Sequence, residues 1–218
     1  MKKLMDITLV EIAKTLSKSF LEDPLCKEML NGIEKKERFY FEHFLMQVKI
    51  MSKEKGIDII CLEDNPKMVL IGNDTSKYTR IKNNMLYLKV GIISVIKLEP
   101  KSLGTLIKNL RRIQNASGVR WHQEFVGKKY YDLKFIAIDE HLRGIGNFRK
   151  IITPIIEYSK DRKLPIVLET YNIRNVSIYE HFGFELVKTI SDEKNTELKQ
   201  YCMVKKRIKK LELINKKF

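Results

Sequence analysis

Apolar residues at Ile7, Val10, Ile12, Ala13, Leu16 and Phe20 recur at helical spacing, behind a Thr8/Glu11 pair with capping-box separation. A first helix is therefore expected to run to about Glu22, where Asp23-Pro24 stops it. Residues 34–54 interleave Phe, Tyr, Leu and Met with Lys as a longer amphipathic helix closed near Gly56. The period then shortens. GIDIICLED (56–64) and KMVLIGND (67–74) favour strands, and the Asp64-Asn65-Pro66 turn between them predicts a hairpin. From about Asn83 to Asn115 the pattern is again helical and broken near Pro100, which predicts a helical pair inserted between strands.

The last ninety residues are more regular. YYDLKFIAID (130–139) reads as a strand, RGIGN (143–147) as a loop, and Phe148 to Arg162 as a helix with Ile151, Ile152, Ile155 and Ile156 in one stripe. LPIVLET (164–170) is a second strand, NVSIYEHF (175–182) a short helix, and FELVKTI with LKQYCMVKK a closing pair of strands. Strand, loop, helix and strand in that order imply a right-handed crossover between parallel neighbours. The expected class is α/β (α+β): a mixed twisted sheet flanked by helices.

At 218 residues and 44% hydrophobic content, with no Gly/Ser-rich or Pro-rich linker and no repeat, the chain is expected to form one domain. Its formal charge of +15 would suit a polyanion, yet the lysines are scattered and mostly mixed with glutamates. That distribution predicts a solvated basic face; the densest run is the C-terminal KKRIKKLELINKK, and a nucleic-acid partner is disfavoured. Cys26, Cys61 and Cys202 have neither disulfide nor metal-ligand spacing, which fits a reducing, cytoplasmic setting without a bound metal. Asp6 and Glu11 interrupt the signal-like N-terminus, and MLYLKVGIISVIKL (85–98) is too short to span a bilayer and contains Lys89 and Lys97. A soluble protein without a membrane partner is expected, with self-association into a homodimer left open.

The loop HLRGIGNFRK (141–150) carries the first chemical signal. Gly144 and Gly146 sit where a strand ends and a helix begins, so free backbone N–H groups and missing side chains together suit an anion. Beyond that loop, IAIDEHLRGIGN, LETYNIRNVSIYEHFGFELV and the distance between them together resemble the GNAT superfamily of acetyl-CoA-dependent N-acyltransferases. In that family the strand is followed by Gln or Arg, two residues, Gly, one residue, and Gly or Ala; Arg143 and Gly146 match, and Phe148 stands at the last position.

The resemblance implies that backbone amides across Arg143, Gly144, Ile145, Gly146, Asn147 and Phe148 hold the pyrophosphate of coenzyme A, and the basic surface around Arg143, Arg149 and Lys150 is expected to assist the nucleotide phosphates. It further implies that Phe135, Ile136, Ala137 and Ile138 offer backbone groups to the pantetheine and thioester where the parallel strands splay apart. Asn175, Tyr179, Gly183 and Phe184 match the second signature; Tyr179 would protonate the departing thiolate and Asn175 would contact the pantetheine arm. Specific motifs span about residues 125–205. Residues 1–125, including FLEDPL, match more diffusely a portion that shapes the acceptor pocket, and 206–218 form a basic tail.

Acyl transfer to an amine with a pKa of about 10 also needs a proton acceptor. Glu169, at the carboxyl end of the second parallel strand, is the first candidate and Asp132 the second. His122 is positioned to line the acceptor mouth, whereas His141 and His181 should face solvent. Nothing marks a Ser or Cys nucleophile, so direct transfer from acetyl-CoA to an amine of a small molecule or protein is expected. Two non-catalytic alternatives remain on the same fold, an acyl-CoA sensor and a nucleic-acid-associated module using the basic tail.

Overall fold

The computed structural model describes residues 6–96, 98–116, 121–192 and 195–206. Helix α1 (Asp6–Leu21) is already formed at Asp6, so Thr8 lies inside it and is not its cap. Leu9, Ile12, Ala13 and Leu16 supply its buried face. Asp23 does more than end α1. Its carboxylate accepts the Leu25 N–H and caps α2 (Pro24–Met29), with Pro24 in the first turn, where a missing N–H costs nothing. Helix α3 (Lys36–Met51) packs Tyr40, Phe44, Val48 and Met51 into the same core as α1.

Strands β1 (Ile57–Cys61) and β2 (Met68–Asp74) form the expected antiparallel hairpin. Helices α4 (Arg80–Val95) and α5 (Pro100–Ile113) follow, and Pro100 opens the second of them. After the four-residue α6 (His122–Phe125) come β3 (Tyr131–Ile138), α7 (Asn147–Arg162), β4 (Ile166–Thr170), α8 (Ile173–His181), β5 (Glu185–Asp192) and β6 (Asn195–Lys205). The sheet order is β1-β2-β3-β4-β6-β5, with β3 and β4 parallel and every other pair antiparallel. The basic run expected to act as a tail lies almost wholly outside the described residues.

Two irregularities in β3 position the site. Its parallel register with β4 stops after three pairs, Tyr131–Ile166, Asp132–Val167 and Leu133–Leu168, although β3 continues to Ile138 beside β2. Between Leu133 and Phe135 the β2 register shifts, leaving Lys134 as an extra residue, and such a bulge bends a strand and reverses its pleat. Tyr131 and Leu133 accordingly pack with Ile151, Ile152 and Ile155 of α7, whereas Phe135 and Ala137 pack with α1 and α3. Beyond Leu133 the edge of β3 that faced β4 has no ladder partner there, and the two strands part.

Candidate functional site

From Ile138 the chain makes one tight turn, held by Asp139 accepting the His141 N–H, and reaches the glycine loop. Two side chains fix that loop. Arg143 Nε donates to the Ile138 carbonyl at 2.8 Å, and Asn147 Nδ2 donates to the Leu142 carbonyl at 3.0 Å. Gly144 and Gly146 adopt φ 78° and 84°, a region other residues enter only with strain, and Gly146 caps α7 with no side-chain hydrogen bond. A Cβ at either glycine would meet nothing within 4 Å. An open concavity thus fronts first-turn amides that no side chain caps, which fits a pyrophosphate.

Phe148 departs from the sequence pattern without covering this concavity. Its ring turns onto α8, with centroids 5.7 Å from Tyr179 and 5.1 Å from Phe182. Arg149 lies over Phe182 and approaches His181 Nε2 at 3.0 Å, and Lys150 pairs with Glu63 at 3.5 Å. Ile145 is 68% exposed.

A cavity of about 1030 Å³ starts at Gly144 and Gly146, follows Phe135, Ile136, Ala137 and Ile138 through the strand opening, and ends among α1, α3 and α4. Arg143, Phe148, Asn175, Tyr179 and Glu169 also line it; Ile145 and Asn147 do not. Asn175 Nδ2 donates to Thr170 Oγ1 at 3.1 Å, tying α8 to the end of β4. Tyr179 stands edge-on to Phe184 at 5.7 Å, and burial, then the Asp23 carboxylate, pushes its phenol well above the ordinary range.

The two sequence-derived base candidates occupy different surroundings. Glu169 is exposed into the cavity and its Oε1 accepts from Trp121 Nε1 at 2.6 Å; desolvation by the surrounding walls raises its carboxyl while that bond opposes the rise. Asp132 is joined to Lys134 Nζ at 2.6 Å. Burial works against the Lys134 charge, but Asp132 and the neighbouring Tyr87 hold its ammonium above the usual range. His122 lines the cavity with its ring 5.1 Å from Tyr130; His141 and His181 are exposed.

Sequence reasoning missed Asp23. Read only as a helix stop, it is a half-buried cavity-lining carboxyl that desolvation raises to about 6, against two backbone hydrogen bonds that lower it. The Asp-Pro step after an amphipathic helix was its sequence signal, but nothing in a linear pattern places it on the wall of the cavity that Tyr179 also lines. Among the described residues, no three His, Cys, Asp or Glu side chains are grouped to hold a metal ion.

No family model matches the chain. Solved structures do. A histone acetyltransferase HPA2 and related acetyltransferase from Corynebacterium glutamicum superposes with a TM-score of 0.60 at 15% identity, covering 95% of each chain. Arylalkylamine N-acetyltransferase 2 of Aedes aegypti gives 0.56 at 14% identity over 93% of this chain and 95% of its own. An N-acetyltransferase of Staphylococcus aureus also gives 0.56 at 14% identity, over 93% and 97%. A 58-residue stretch is 38% identical to an uncharacterized N-acetyltransferase of Schizosaccharomyces pombe, spanning 27% of this chain and 24% of that protein. With the parallel β3–β4 pair inside a helix-flanked mixed sheet, the chain has the GNAT acetyltransferase fold.

Proposed function

We propose that this protein is an N-acetyltransferase that uses acetyl-CoA and acetylates a primary amine of a small molecule or an exposed protein group. The observation that carries the reading is the open glycine loop directly after the stretch of β3 whose β4-facing edge has no ladder partner. The amides from Arg143 to Phe148 bind the pyrophosphate, and Phe135 to Ile138 align the pantetheine by backbone hydrogen bonds. Acetyl-CoA supplies the thioester. The names of the structural neighbours, one acting on arylalkylamines and one on histones, support an amine acceptor.

The cavity's far end offers carboxylates and aromatic rings to such an amine, among them Asp23, Glu169, Tyr40 and Tyr130. Asp23, with its carboxyl raised to about 6, takes the proton from the incoming ammonium, because a base near neutrality combines ionisation with proton affinity. Glu169, held by Trp121, orients the amine. Tyr179 keeps its proton at neutral pH and delivers it from the phenolic oxygen to the departing sulfur.

Tyr179→Phe should lower kcat by about 100-fold while leaving acetyl-CoA affinity within a factor of about two, measured by steady-state kinetics and calorimetry. Native kcat/KM should rise with pH through about 6 as Asp23 ionises, and Asp23→Asn should abolish that limb. Unchanged turnover in Tyr179→Phe would remove the acid assignment. Tight acetyl-CoA binding with no turnover across an amine panel would favour the sensor reading instead.

A further inference from the structure

Helix α4 is apolar on two opposite faces. Leu86, Val90 and Ser94 are buried, and the helix packs against α3. On the other side, Ile81, Met85, Leu88 and Ile92, with Ile96 at the C-cap, are 50–75% exposed and follow one another at helical spacing of three or four. Six of the thirteen large hydrophobic side chains left exposed among the described residues lie on this helix and its cap. The exposure is therefore a stripe and not a scatter, and a water-facing stripe of that length calls for a partner surface.

Charge narrows the partner. Lys82 and Lys89 are exposed along one flank of the stripe, α4 contains no acidic residue, and the whole chain carries +15. A second copy of α4 would bring further lysines and no acidic residue to answer them. An anionic lipid surface would attract them while accepting Ile, Leu and Met side chains without a preformed groove.

We propose that α4 docks this protein onto anionic lipid membranes, lying in the plane of the interface with the Ile81–Ile96 stripe among the headgroups and upper acyl chains. Docking needs no crossing, and among the described residues no helix is long and apolar enough to cross. Arg80, Asn83, Asn84 and Tyr87 of the same helix line the cavity, so docking brings the rim of the cavity to the lipid surface.

The test is co-sedimentation of the full chain with vesicles of phosphatidylcholine alone and of phosphatidylcholine mixed with phosphatidylserine. The native protein should partition onto the mixed vesicles and be released by salt. A Met85→Gln, Leu88→Gln, Ile92→Gln variant and a Lys82→Gln, Lys89→Gln variant should each partition about tenfold less, with unchanged circular dichroism and Tm, because the altered side chains lie outside the core. Equal partitioning of native and apolar-stripe variant would overturn the proposal. So would absence of binding by the native protein, including the case in which sedimentation velocity shows self-association that the stripe variant abolishes.

Discussion

Asp23 meets two opposed demands in one side chain. It caps α2, which favours the ionised form, yet it is half-buried at the cavity wall, which disfavours it, and desolvation prevails by raising the carboxyl from 3.8 to about 6. A carboxyl raised on folding binds its proton more tightly in the native state. Its contribution to stability is thus complete below 3.8 and is lost as pH rises through about 6. Asp23→Asn keeps a good cap and removes the desolvated charge, so denaturant titration at pH 7 should show a gain of about 1–3 kcal/mol, accompanied by a lowered but measurable turnover. The same variant should flatten the native protein's decline in stability between 3.8 and about 6. Gly146 poses the complementary case. Gly146→Ala meets no atom but must hold φ 84°, so it should cost about 1–2 kcal/mol in a denaturant titration.

At the scale of the element, the opening between β3 and β4 depends on how β2 receives the bulge. Gly72 stands opposite Leu133 just where the register slips, and a Cβ there would lie 2.6 Å from Tyr131 Cε1 and 2.9 Å from the Asp132 carbonyl. Tyr131 cannot swing away freely, because its hydroxyl donates to Asp58 Oδ2 at 3.1 Å on β1. Gly72→Ala should therefore destabilise the fold by about 1–3 kcal/mol in chemical denaturation. In a Tyr131→Leu background, itself less stable, Gly72→Ala should cost less than it does in the native protein, since the ring in the way is gone. A crossover of strand, glycine loop and helix was legible from periodicity and turn chemistry, because both are local properties. The bulge was not: Lys134 reads as an ordinary polar position in YYDLKFIAID, and only pairing with β2 makes it an extra residue.

For the whole molecule, a ligand that joins the α7 amides to the far end of the cavity bridges α1, α3, β3, β4 and α8 at once. Acetyl-CoA at about 100 times its Kd should then add about 2.7 kcal/mol to unfolding stability, seen as a raised Tm. A Gly144→Val, Gly146→Val variant should lose that increment. Trp121, the chain's single tryptophan, donates to Glu169 at the acceptor end, so amine binding should alter its emission while Glu169→Gln weakens that response. The formal +15 should make acetyl-CoA affinity fall as salt rises, through screening of the phosphates from the basic residues near the loop.

What the amino-acid sequence determined by itself was everything written in local patterns: the order of strands and helices in residues 130–206, the glycine pair at a helix start, and the hairpin at 57–74. These depend on neighbours a few positions apart, and their spacing survives in the linear chain. The tertiary structure decided which side chains share a space. Asp23, at the cap of α2, shares one cavity with Glu169 on β4 and Tyr179 on α8, more than 140 residues further along the chain, where the shortened β3–β4 ladder leaves an opening. Burial then turned a helix-stopping aspartate into a carboxyl poised near neutrality, turned Phe148 away from the loop it follows, and left one face of α4 uncovered. Desolvation and exposure are properties of the packed surface, and no spacing rule along the chain encodes them.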